Sequence, residues 1–354
     1  MSEADQAGKR ITVREVAARA GVSVATVSRV LNDAYDAPPA TRERVWRAVQ
    51  DLDYHPTQVK TLTGLSDTIA VGIPLLESPF YMAIAAGIEE HARASGRAVL
   101  LSATANEPEL ELALIDMMRQ RGVEAVILMG AVREDEAHRA ALAQRAASIE
   151  RTGSRLVFCG RPWRGPAEAP VYLVDYDAEE GAHALTNYLL SAGHRRIAHL
   201  GGPPHFTTVQ RREAGYRRAL AESDVPIDED LVVPGEMTRP SGLELGRRIL
   251  GESGITAVIA ANDEMAAGVY AAARESGRTI PDDLSVVGFD DVPVARDLSP
   301  ALTTLHVPQR DVGRAAARMA LRRSTAADRR FEERRVVVGT HVMVRESVKR
   351  LSPL

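Results

Sequence analysis

The chain has 354 residues, a formal charge of −4 and a single cysteine, Cys159. That length calls for more than one domain, one thiol excludes an intrachain disulfide, and no stretch approaches the roughly 18 apolar residues of a membrane span. The opening residues, with Glu3, Asp5, Lys9 and Arg10, lack the apolar run of a secretory signal, so a cytoplasmic protein is expected.

The first helix opens at Thr12. Thr12 and Glu15 have capping-box spacing, and Ile11 and Val16 occupy the two positions of a hydrophobic staple. Gly21 can take the left-handed conformation of a tight turn, and Ser23 is an N-cap for a second helix. On that helix Thr26, Val27, Val30 and Leu31 form the face that packs, leaving Val24, Ala25, Ser28 and Arg29 on the other. A helix so presented suits the DNA major groove. There Arg29 can read a guanine edge, Val24 and Ala25 can meet a thymine methyl, and Ser28 and Asn32 can hold phosphates. A third helix is expected from Thr41 to Asp53, with Val45, Val49 and Leu52 closing a small core and Trp46 partly inside it. Arg10, Arg14, Arg19, Arg29, Arg42, Arg44, Arg47 and Lys60 give this end a positive balance that the total charge conceals. The stretch from Thr57 to Thr68, rich in Thr, Ser and Gly, reads as a linker or hinge.

From Ile69 onward short apolar runs alternate with amphipathic stretches. Ile69 to Leu76, Ala98 to Ser102, Ala125 to Met129 and Leu156 to Cys159 read as buried parallel strands. The pattern restarts at Val171 to Asp175, Ile197 to Gly201, Leu231 to Val233, Ala257 to Ala260 and Ser285 to Phe289. The fold class expected is α/β, with a three-helix head and hinge followed by two doubly wound parallel-sheet lobes. The Pro/Gly-rich Arg161 to Pro170 marks the expected crossing between lobes, and the segment after Leu302 returns to finish both sheets. The domains expected are a head over 1–55, a hinge over 56–67 and an effector unit over 68–354. Within that unit lobe 1 takes about 68–170 and 305–332, and lobe 2 about 171–304 and 333–354.

Val16-Ala17, Ala20-Gly21-Val22-Ser23, Thr26 to Asn32, Thr41-Arg42 and Tyr54-His55-Pro56 resemble the LacI/GalR family of transcription regulators, in the family's order. The resemblance continues through Gly193-His194-Arg195, Arg212 to Tyr216, Asn262 to Ala266, Val287 to Asp291, Pro300 to Thr304 and Arg345-Glu346-Ser347. It implies that Val24, Ala25 and Arg29 read an operator, and that a hinge leucine, here Leu62, wedges into the minor groove. The spacing of Val59 and Leu62 is one residue shorter than usual, and Lys60 replaces the family's alanine. In the effector half, which is similar to periplasmic sugar-binding proteins, the resemblance places Arg212, Asn262 and Asp290 on effector hydroxyls and Phe80 with Tyr81 at aromatic positions. Met237 replaces a stacking aromatic and Val307 a glutamine, and the polar position at Gly160 is vacated, with Arg161 and Trp163 adjoining it.

The expected function is a ligand-responsive repressor that binds a pseudo-palindromic DNA operator as a homodimer, with Val24, Ala25, Thr26, Ser28, Arg29, Asn32 and Leu62 on DNA. Phe80, Tyr81, Arg161, Arg212, Asn262 and Asp290 are expected on a small-molecule effector, a sugar or sugar derivative. A transport-type solute-binding protein would need a secretory signal and no DNA head. A sugar-acting enzyme would need a catalytic constellation. Asp290-Asp291 and Asp263-Glu264 sit where turn caps occur, with no histidine cluster, so no catalytic residue, metal or cofactor is expected.

Overall fold

A computed structural model of the chain describes residues 12–31, 37–52, 65–130, 135–322 and 332–351. Ile11, Asn32, Val59, Lys60 and Leu62 lie outside the described residues, and with them half of the staple, one phosphate candidate and the hinge wedge. The chain divides into two compact units, Met1–Leu62 and Thr63–Leu354.

The first unit contains α1 (Val13–Ala20), α2 (Val24–Leu31) and α3 (Pro39–Asp51). Both halves of the capping box form: Thr12 Oγ1 accepts the Glu15 amide, and Glu15 Oε2 accepts the Thr12 amide at 2.6 Å. Gly21 turns the chain at φ 64°, and Ser23 Oγ caps α2 by accepting the Thr26 amide at 3.1 Å. Val16, Ala17, Ala20, Val27, Val30, Val45 and Ala48 form the core. Two expectations are corrected. The third helix starts two residues early, at Pro39, because proline at the first helical position has its φ preset and needs no amide partner. Trp46 is 46% exposed rather than partly core, since it lies about 100° round the helix from inward-facing Val45.

The second unit holds two sheets. The first lobe runs through β1 (Thr68–Ile73), α4 (Pro79–Ala94), β2 (Ala98–Ala103), α5 (Pro108–Gln120), β3 (Ala125–Met129), α6 (Glu136–Arg151), β4 (Arg155–Cys159) and β5 (Val171–Tyr176). The second takes α7 (Ala178–Ser191), β6 (Ile197–Leu200), α8 (Thr207–Glu222), β7 (Val232–Val233), α9 (Arg239–Ile249), β8 (Ala257–Ala260), α10 (Asp263–Glu275), β9 (Ser285–Asp290), α11 (Val294–Asp297) and β10 (Thr303–His306). The chain then returns to the first lobe for α12 (Gln309–Leu321) and β11 (Arg335–Val338), and to the second for β12 (His341–Met343). Among the described residues the sheets each have six strands, in the orders β11-β5-β4-β3-β1-β2 and β12-β10-β9-β8-β6-β7. Every pairing is parallel except β10 with β12.

The expected lobe boundaries need correction. Val171–Tyr176 does not open the second lobe but pairs in parallel with β4, and β11 completes the first sheet, not the second. The Pro/Gly-rich stretch after Cys159 is therefore a crossover inside one sheet. It needs no helix because Trp163 and Ala169 pack on Phe158 and Leu173, covering that face of the sheet. The chain passes between lobes at 176–178, 306–309 and 338–341 instead. Among the described residues no helix is long and apolar enough to cross a membrane.

Candidate functional site

In both sheets the strand order reverses beside a central pair, β1/β3 in one and β6/β8 in the other. Ligands of doubly wound sheets gather outside the carboxyl ends of strands at such points. A cavity of about 150 Å³ lies there, between the lobes. The first lobe supplies Ser78, Phe80 and Tyr81 after β1, Gly130 after β3, Gly160 after β4, and Tyr176. The second supplies Thr208 and Arg212 from α8, Glu236 and Met237 after β7, Asn262 and Asp263 after β8, and Asp290 at the end of β9.

Arg212 organises the second lobe's wall. It is 3% exposed, lies 3.7 Å over the Phe289 ring, and donates to Asp290 Oδ1 at 2.9 Å, to Tyr176 Oη at 3.1 Å and to the Ala261 carbonyl. Burial pushes the Asp290 carboxyl up to about 6 against the pull of Arg212. Asp263 is also raised by burial, with Asp290 nearby adding to the shift, while Thr304 Oγ1 and the Val292 amide donate to it at 2.5 and 2.8 Å. Asp290 and Asp291 both hold positive φ, 104° and 56°, conformations that cost of order 1–3 kcal/mol and persist where surrounding contacts over-determine them. Those contacts include the Gln309 side chain, which donates to the Asp290 carbonyl from α12 of the other lobe.

Phe80 and Tyr81 meet edge to face with ring centroids 5.4 Å apart, and Phe80 meets Tyr176 in the same way at 6.0 Å. They form an aromatic wall that meets the polar one where Arg212 reaches Tyr176 Oη. Consecutive residues of α8 tie the lobes together. Gln210 Oε1 accepts from Arg164, Arg211 donates to buried Asp175 at 2.8 Å, and Arg212 reaches Tyr176.

Five of the six residues expected on the effector therefore line the cavity: Phe80, Tyr81, Arg212, Asn262 and Asp290. Asn262 does so while capping α10, its Oδ1 accepting the Met265 amide and its Nδ2 donating to the Met237 carbonyl. Arg161 is corrected. It does not line the cavity but lies buried behind Gly160, paired through both Nη atoms with Glu111 at 2.8 and 3.1 Å and set over the Phe158 ring. A guanidinium with a buried carboxylate beside it turns inward rather than toward a wet cleft. Trp163 is likewise buried, donating to the Pro166 carbonyl. Tyr176, Thr208 and Glu236 were missed. Tyr176 was hidden by assigning β5 to the wrong lobe, and the other two carried no distinguishing spacing.

On the head, Val24 is 42% exposed and Ala25 and Arg29 are also exposed, while Ser28 is half-buried. Thr26 is half-buried and its hydroxyl lies 2.9 Å from Ser23 Oγ, so it serves the cap.

Comparison with known proteins agrees with this architecture. Residues 12–57 match the model for bacterial regulatory proteins of the lacI family, and residues 186–348 that for a periplasmic binding protein-like domain. The HTH-type transcriptional regulator CelR of Thermobifida fusca is 36% identical over 347 residues, spanning 96% of this chain and 98% of the relative. The repressor PurR of Vibrio parahaemolyticus is 31% identical, spanning 96% and 99%. Among solved structures, a CelR–cellobiose complex superposes with a TM-score of 0.67 at 33% identity, covering 96% of this chain and all of that one. The lac repressor dimer bound to operator and an anti-inducer superposes at 0.66 and 26%, with the same coverage. These relatives are transcriptional regulators and not enzymes, and the chain belongs to the LacI family of bacterial regulators.

Proposed function

We propose that this regulator is a repressor that binds a pseudo-palindromic operator as a homodimer and is controlled by a small sugar held between the lobes. The observation that carries the reading is the cleft itself, lined both by the aromatic rings of Phe80, Tyr81 and Tyr176 and by the polar groups of Arg212, Asp290 and Glu236. Aromatic faces pack on the C–H surface of a polyol while carboxylates and hydroxyls take its hydroxyl groups. The cellobiose complex of CelR supports that ligand class. Lobe closure would shift the spacing of two DNA heads, so effector and operator bias one equilibrium.

The dimer is supported by an apolar surface on the first lobe. The edge strand β2 and the neighbouring α5 leave Leu101, Leu110 and Met117 about 40% exposed, an arrangement that a second copy would cover. On the head, Val24, Ala25, Ser28 and Arg29 take the base-reading and phosphate roles, with Asn32 and Leu62 proposed beside them.

Selection of bound sequences from a random double-stranded DNA pool tests the operator reading; one enriched pseudo-palindrome is expected, and enrichment of a single asymmetric half-site would refute the dimer. Arg29→Ala is expected to lose about 1–3 kcal/mol of discrimination at one guanine in each half-site, seen as relaxed preference there in a repeat selection. Unchanged base preference would remove Arg29 from the reading role. For the effector, a thermal-shift series with cellobiose and its component glucose is expected to stabilise the wild type. No sugar in the series raising the midpoint would argue against the ligand class.

A further inference from the structure

Strands β10 and β12 carry a pair of histidines that the cleft does not use. His306 ends β10 and His341 begins β12, and the antiparallel register sets them directly opposite each other. Their ring centroids are 4.8 Å apart, with ring planes inclined by 43°. His306 Nδ1 lies 2.8 Å from Asp291 Oδ2, and Arg345 donates to the other Asp291 oxygen. That contact occupies Nδ1 of His306 and leaves Nε2 as the ring nitrogen open to a further partner. Among the described residues no protein group hydrogen-bonds that Nε2 or the His341 ring.

We propose that His306 and His341 form a two-imidazole chelate for a divalent transition-metal ion where the chain crosses between the lobes. The geometry fits. With metal–nitrogen bonds of about 2.0–2.1 Å and ring centroids roughly 1.1 Å beyond each nitrogen, two imidazoles on a tetrahedral ion have centroids about 5 Å apart. The observed 4.8 Å matches that separation. Asp291 plays the part usual for a carboxylate behind a ligating histidine, fixing the tautomer and the ring orientation, and its own oxygens are taken by His306, Arg345 and Arg296. Among the described residues no cluster of three or more His, Cys, Asp or Glu surrounds a common point, so water completes the coordination. Imidazole donors of this kind suit Zn²⁺, Ni²⁺ and Cu²⁺ rather than Mg²⁺ or Ca²⁺.

His306 and His341 stand at two of the three points where the chain passes between lobes. A bound ion ties the strand leaving the second lobe to the strand re-entering it.

The test is calorimetric titration of chelator-stripped full-length protein with Ni²⁺ and, separately, Zn²⁺. Saturable binding of one ion per chain is expected. His341→Ala is expected to weaken it by about tenfold or more, because loss even of an outer partner of a metal ligand costs that much. His306→Gln should do the same, while His183→Ala, which alters a half-buried histidine paired with Glu222, should leave the site unchanged. No saturable uptake, or equal affinity in the wild type and the His341→Ala variant, overturns the assignment.

Discussion

Replacing Arg212 with methionine is expected to destabilise the effector unit by about 3–5 kcal/mol at neutral pH, read from urea unfolding, because truncating one partner of a buried ion pair strands the other charge. Arg212 and Asp290 are 3% and 5% exposed, so water from the cleft replaces the lost interaction only in part. Asp290 is already pushed up to about 6 by burial, and removing the guanidinium drives it further the same way. A carboxyl whose folded value lies above its unfolded one adds stability at low pH that is lost as pH rises through the folded value. The deficit of the variant should therefore shrink as pH falls from neutrality, and adding Asp290→Asn should recover much of it by removing the charge. A deficit that ignores both pH and the second substitution would assign the loss to the packing of Arg212 on Phe289.

The second large effect concerns two glycines where α4 and α12 cross. A Cβ on Gly313 of α12 would lie 2.0 Å from the Ile84 carbonyl oxygen of α4, and one on Gly87 would lie 2.2 Å from that of Arg310. The helices touch backbone to backbone, and a main-chain oxygen cannot rotate away as a side chain can. Gly313→Val is expected to cost about 3 kcal/mol or more, the upper end for overpacking, and to lower the thermal midpoint by circular dichroism. It should also weaken effector binding, since α4 carries Phe80 and Tyr81 while α12 begins with Gln309, which holds the Asp290 carbonyl. Gly339→Ala is the control: nothing lies within 4 Å of the added methyl, and no change is expected.

What could be read in advance follows how local each determinant is. Thr12, Gly21 and Ser23 act on amides within five residues, so the head was legible down to its caps. Arg212 and Asp290 were found through motifs that resemble a family, not through their pairing, which joins positions 78 residues apart. The assignment of β5 failed because its apolar run satisfies either sheet, and only pairing with β4 decides between them. Arg161 failed for a related reason, since the carboxylate that turns it inward, Glu111, sits on a helix 50 positions earlier. The histidine pair has no motif spacing at all, being created by strand register.

The threading of the lobes bears on how such a chain comes off the ribosome. The first sheet lacks one of its two edge strands until Arg335–Val338 emerges, and the second lacks one of its own until His341–Met343 follows. Neither half can therefore mature while the other waits, as tandem domains do during synthesis. Strands β5 and β10 each keep an open edge until those pieces arrive, so an interruption of synthesis before Arg335 leaves both halves unfinished at once.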